Sequence, residues 1–186
     1  MILKKIFGSK DRKSKEALGV SLYRIVQTSL SHENLSIDSL LESLTLTEAD
    51  VDRNHQTEVT IAFMFQAIVV VEKHYEYPVA GDVIDSMTKE FLSHTKEMGG
   101  TEEQVLNMFA LYKKRLQEYY DAERNQTGDG PAYWMGKKFY ENLTGIKVSH
   151  IDDLDKEADL STKFKFLIAS NHLTVIMGGL DAVVKG

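Results

Sequence analysis

Two pairs of side chains have the spacing of ligands on one face of a helix: His55-Gln-Thr-Glu58 and His94-Thr-Lys-Glu97. Residues three apart are neighbours on a helical surface, so each pair can offer an imidazole and a carboxylate to the same ion. Di-iron carboxylate bundles use the reverse order, Glu-x-x-His on two helices, and no Glu here has a His three residues later. His-Glu-x-x-His is absent as well. His55, Glu58, His94 and Glu97 form a metal or substrate site only if separate helices bring both pairs into one cavity. Phe63, Met64, Phe65 and Trp134 would wall it. The expectation is two solvated helix pairs, with no metal and no cofactor.

Other reactive patterns fail on their details. The acidic run Asp152, Asp153, Asp155, Glu157 and Asp159 suggests a calcium loop. Counted from Asp153, however, Ala158 takes the place of the turn glycine and Phe164 that of the bidentate glutamate. Gly130-Pro-Ala-Tyr-Trp-Met-Gly136-Lys137 has one residue too many for a phosphate loop, and Lys138 replaces the magnesium-binding hydroxyl. Gly-x-Ser-x-Gly and Gly-x-Gly-x-x-Gly do not occur. The absence of cysteine removes disulfides, thiolate metal sites and cysteine nucleophiles together, and fits a cytoplasmic-type protein.

Two surfaces carry positive charge. Residues 1–15 hold six basic side chains against Asp11, a net of +5, while the remaining 171 residues carry a net of −11. The total of −6 makes this an acidic protein whose body repels nucleic-acid phosphates. In residues 1–14, Ile2, Leu3, Ile6 and Phe7 share one helical face and Lys4 and Lys5 take the other. This amphipathic basic tail suits a partner's groove or, weakly, an anionic membrane surface, and suits equally the apolar end of its own bundle. The second surface combines Lys113, Lys114 and Arg115 with Trp134, Lys137 and Lys138, an aromatic–cationic set able to stack bases. Acidic neighbours make a solvated helix face the expected outcome, and nucleic acid an unlikely partner.

The elements that position these residues are helical throughout. Leu18, Leu22, Ile25, Val26 and Leu30 form one stripe, and a short segment entered through Ser36 follows. A central apolar helix is expected over about 48–74, because Val59 to Val71 is apolar all round. Ile68-Val-Val-Val71 is the one stretch where a strand competes. Pro78 and Pro131 fit helix starts, Gly99-Gly100 a helix exit, and Thr101 with Gln104 a capping box. Val105, Phe109, Tyr112, Leu116 and Tyr119 make a heptad seam. Gly178-Gly179 is expected to interrupt the last helix.

The sequence therefore predicts an all-α protein, a single compact bundle of about six to seven helices spanning 15–186, with a sub-boundary near 126–130 as the alternative. The order Leu22-Tyr23-x-Ile25-Val26, Glu97-Met98-Gly99 and Tyr112-x-x-x-Leu116-x-x-Tyr119 is similar to that of bacterial ubiquinol–cytochrome c chaperone proteins, helical factors that assist a membrane complex. Residues 50–58 depart from that family, lacking its Gly-Val-Pro-Asp-Thr and Asp-Gly-Arg-Phe runs, and no residue role is carried over. The functional expectation is a non-catalytic binding or assembly factor that contacts another protein or itself. A helical enzyme or ligand carrier is the alternative.

Overall fold

The computed structural model describes residues 12–32, 36–52, 54–125, 130–147 and 156–185. These form seven α-helices and no strand: α1 (Arg12–Leu30), α2 (Ile37–Ser43), α3 (His55–His74), α4 (Val79–Glu97), α5 (Glu102–Arg124), α6 (Gly130–Thr144) and α7 (Lys156–Lys185). A single 3₁₀ turn, Glu48–Asp50, precedes α3.

Helix α3 is the axis of the bundle. It touches α1, α4, α5, α6 and α7, which is why its residues from Glu58 to Ile68 are buried on every side. Surrounded by helices, Ile68–Val71 has no strand among the described residues to pair with, so packing overrides its β-branched preference. Buried apolar side chains from Leu18 to Val184 belong to one continuous core.

Local chemistry sets the helix ends. Ser36 caps α2 by accepting the amide of Ser39 at 3.2 Å. Thr101 and Gln104 make both bonds of the capping box that opens α5, at 2.8 and 3.3 Å. Gly99, with φ of 89°, supplies the left-handed exit of α4.

Two boundaries differ from expectation. The central helix starts at His55 rather than near 48. Asp52 accepts the Asn54 amide on its side chain (2.8 Å) and the His55 amide on its carbonyl (2.9 Å), and its own amide donates to the Leu143 carbonyl of α6 (2.9 Å). An aspartate that bonds its own following backbone competes with helix propagation, so the chain turns there. Helix α7, in contrast, runs unbroken through Gly178 and Gly179. Leu173, Ile176, Leu180 and Val184 are buried on its inner face and hold it straight across the glycines.

Close packing of α7 on α6 depends on Gly136. A Cβ there would collide with the Phe166 carbonyl oxygen and reach 2.8 Å from its carbon.

Candidate functional site: a buried ion pair and an uncharged helix face

Glu58 lies in the first turn of α3 with a side chain only 3% exposed. Arg115 reaches it from α5. Its Nε donates to both carboxylate oxygens at 3.0 and 2.9 Å, Nη2 donates to Oε1 at 2.6 Å, and Nη1 turns to Glu118 at 2.9 Å. Burial pushes the Glu58 pKa up, and the bonds and charge of Arg115 pull it part of the way back. Burial alone would lower the Arg115 pKa. The hydrogen bonds and charge of Glu58, then of Glu118, outweigh it and hold the guanidinium protonated.

Tyr119, one turn along α5 from Arg115, is completely buried, and burial raises its pKa. The neighbouring Asn142 of α6 offsets part of that rise, although neither the Tyr119 hydroxyl nor Asn142 Nδ2 has a partner in good hydrogen-bond geometry. With its carboxylate covered by two N–H groups of Arg115 that make three contacts, Glu58 is not poised as a free base. The arrangement ties α3 to α5.

This pair joins residues that the sequence placed in two separate candidate sites. Glu58 leaves the metal-ligand set and Arg115 leaves the basic surface. Among the described residues no three His, Asp or Glu side chains are placed to share an ion. His55 Nδ1 lies 2.9 Å from the Asp52 carbonyl, His94 sets its exposed ring edge-on to Tyr23 with centroids 6.0 Å apart, and Glu97 is exposed. Phe63, Met64 and Phe65 are core residues; Phe65 packs on Tyr119 and Tyr120.

The rest of the basic surface is divided by acids. Lys113 covers the Phe109 ring at 4.6 Å and Lys114 is exposed. Lys137 lies over Trp134 at 5.2 Å and near Glu141 at 3.9 Å, while Lys138 bonds Glu141 at 2.7 Å. A groove of about 310 Å³ runs between α5 and α6, lined by Trp134, Lys137 and Lys138 but also by Glu118, Asp121 and Glu141. Three acids against two lysines give it no attraction for phosphate. Ile2, Leu3, Lys4, Lys5, Ile6 and Phe7 lie outside the described residues.

The feature that sequence reading missed is the outer face of α7. Phe164 (65% exposed), Leu167 (52%) and Val175 (52%) stand on it, with Asn171, Gly178 and Ala182 exposed between and beyond them. These positions recur three, four or seven apart and trace one stripe. The signal was legible: between Lys165 and Asp181 the only ionisable residue is His172, which is buried. By length and composition Thr162–Lys185 would be able to cross a membrane, yet its inner face packs on α3 and α6. The stripe from Phe164 to Ala182 is about 27 Å long.

Comparison with family models, curated proteins and solved structures finds no match.

Proposed function

We propose that the chain is a non-catalytic helical binding or assembly factor that acts through protein–protein contacts at the outer face of α7. The observation that carries this reading is the uncharged stripe through Phe164, Leu167 and Val175 on an otherwise heavily charged molecule. Contiguous apolar surface rimmed by polar residues marks interaction sites in soluble proteins. Lys163, Lys165, Asp181 and Lys185 supply such a rim at the two ends. The alternative of a site assembled from His55, Glu58, His94 and Glu97 has no comparable support, because Glu58 is bonded to Arg115 and three of the four do not gather.

The test replaces Leu167 and Val175 by Glu. Both are half exposed, so the fold is expected to survive, with a melting temperature within a few degrees of the parent. Proteins that co-purify with the parent in stoichiometric amounts should be lost from the double variant. Equal recovery by both would refute the reading, and binding only to anionic lipid vesicles would replace it with a membrane-surface role.

A further inference from the structure

The outer stripe of α7 has a second regularity. Phe164, Ile168, Asn171, Val175, Gly178 and Ala182 follow one another at spacings of 4, 3, 4, 3 and 4, the repeat of a helix–helix seam. Ile168 is partly buried and the other five are exposed. Phe164 and Ala182 stand about five whole turns apart, so the seam runs straight along the helix. The order of spacings is the same from either end, with its centre at position 173. A second α7 laid antiparallel therefore meets all six positions in register.

Side-chain volume is graded along the seam in the sense that such a pairing needs. Phe164, Leu167 and Ile168 make one end bulky, while Gly178, Gly179 and Ala182 leave the other low. About a centre at 173, Phe164 faces Ala182 of the second copy, Ile168 faces Gly178, and Asn171 faces Val175. Nothing stands within 4 Å of where a Cβ would be at Gly178 or Gly179, so the bulk has hollows to enter. Parallel copies would set Phe164 on Phe164 and Gly178 on Gly178, overfilling one end and leaving voids at the other.

Polar groups agree with the same register. Asn171, the one amide in the seam, comes beside Thr174 of the second copy near the centre. The Thr174 hydroxyl donates to the Ser170 carbonyl at 3.0 Å and keeps lone pairs to accept from an amide. A single Asn in an apolar seam fixes register and orientation. No seam position is ionisable. On the flank, Lys163 and Asp181 also lie about five turns apart on one side of α7, so the antiparallel pair sets Lys163 beside Asp181 of the second copy.

We infer that the outer face of α7 binds a second copy of this chain, as an antiparallel two-fold pair centred near position 173. The inference rests on the partner-binding reading of α7 and names its partner. Size sets the strength. A seam about 27 Å long and one helix wide offers about 270 Å² per copy, against about 800 Å² per partner in a stable complex. The pair is therefore reversible and forms as concentration rises.

Sedimentation equilibrium of the full chain should show the mean mass climbing from one copy toward two between about 1 μM and about 1 mM. Leu167→Glu with Val175→Glu should remain a monomer over the same range. Orientation is read from single cysteines, since the chain has none of its own. A mixture of Phe164→Cys and Ala182→Cys chains, treated with a short bifunctional thiol reagent, should crosslink at least about tenfold faster than either variant alone. In the antiparallel pair the two copies of either position stand about 27 Å apart. A parent chain that stays monomeric at about 1 mM would overturn the inference. The co-purification test would then decide by itself whether α7 serves a different protein, so the two readings fail separately. A dimer that survives the double Glu variant would also overturn it, by placing the interface elsewhere. Crosslinking of Ala182→Cys chains to each other faster than in the mixture would refute the antiparallel arrangement.

Discussion

Burying the Glu58 carboxylate in the first turn of α3 costs several kcal/mol, and Arg115 offsets that cost because each of its three nitrogens donates to a carboxylate oxygen. Arg115→Met strands a charge in the core and should lower stability by about 3–5 kcal/mol in urea denaturation. Replacing both Glu58 and Arg115 by Met should recover most of the loss, since no unpaired charge then remains. At Asp181 the sign is opposite to that at Glu58. Hydrogen bonds from Lys185 and His74, more than that from Lys73, hold its pKa well below the usual aspartate range. The unfolded chain therefore takes up its proton at higher pH than the folded one. The stabilisation is complete above the ordinary aspartate range and disappears as pH falls through the depressed native value. Strong acid should accordingly lower the amide protection factors over 176–185, taken against the intrinsic exchange rate at each pH. Asp181→Asn should show the lowered protection there already at neutral pH and lose the part of the acid response that Asp181 supplies.

At the scale of elements, the residues that define ends and contacts differ in how openly they declare themselves. The Thr101–Gln104 capping box and the Gly99 exit were legible because each rests on two or three adjacent residues. The all-round burial of α3 was legible for a similar reason, an apolar run too long for one face. The start of α3 was not, because the bond from Asp52 to Leu143 joins segments distant in sequence. Nor could composition distinguish Gly178 and Gly179, which sit in an unbroken helix, from glycines that end one. The pairing of Glu58 with Arg115 was hidden for the same reason as the Asp52 contact: two plausible local readings are resolved only by the packing of α5 on α3. Glycines of different roles predict opposite mutational signs. Gly136→Ala drives a methyl into the Phe166 carbonyl and should lower stability by about 1–3 kcal/mol in thermal unfolding. Gly179→Ala meets nothing within 4 Å and should raise it by about 0.4–1 kcal/mol by restricting the unfolded chain.

Across the whole molecule, protection should be graded from the axis outward. The amides of Val59 to Val71 are enclosed by five helices and should exchange only through global unfolding. Measured exchange free energies there should equal the stability from urea denaturation, whereas those of α2, which packs chiefly on α7, should be lower. Helix α7 then has a double part, closing the core with Phe166, Leu173 and Leu180 and offering a face outward.

Following in sequence every described element that it covers, α7 also leaves the ribosome after them. Until it emerges, the flank of α3 that it screens stays open to solvent, and the nascent chain is a greasy, unfinished assembly. Completion of this fold must therefore await the synthesis of α7, and a holding chaperone has a defined surface to guard in the meantime.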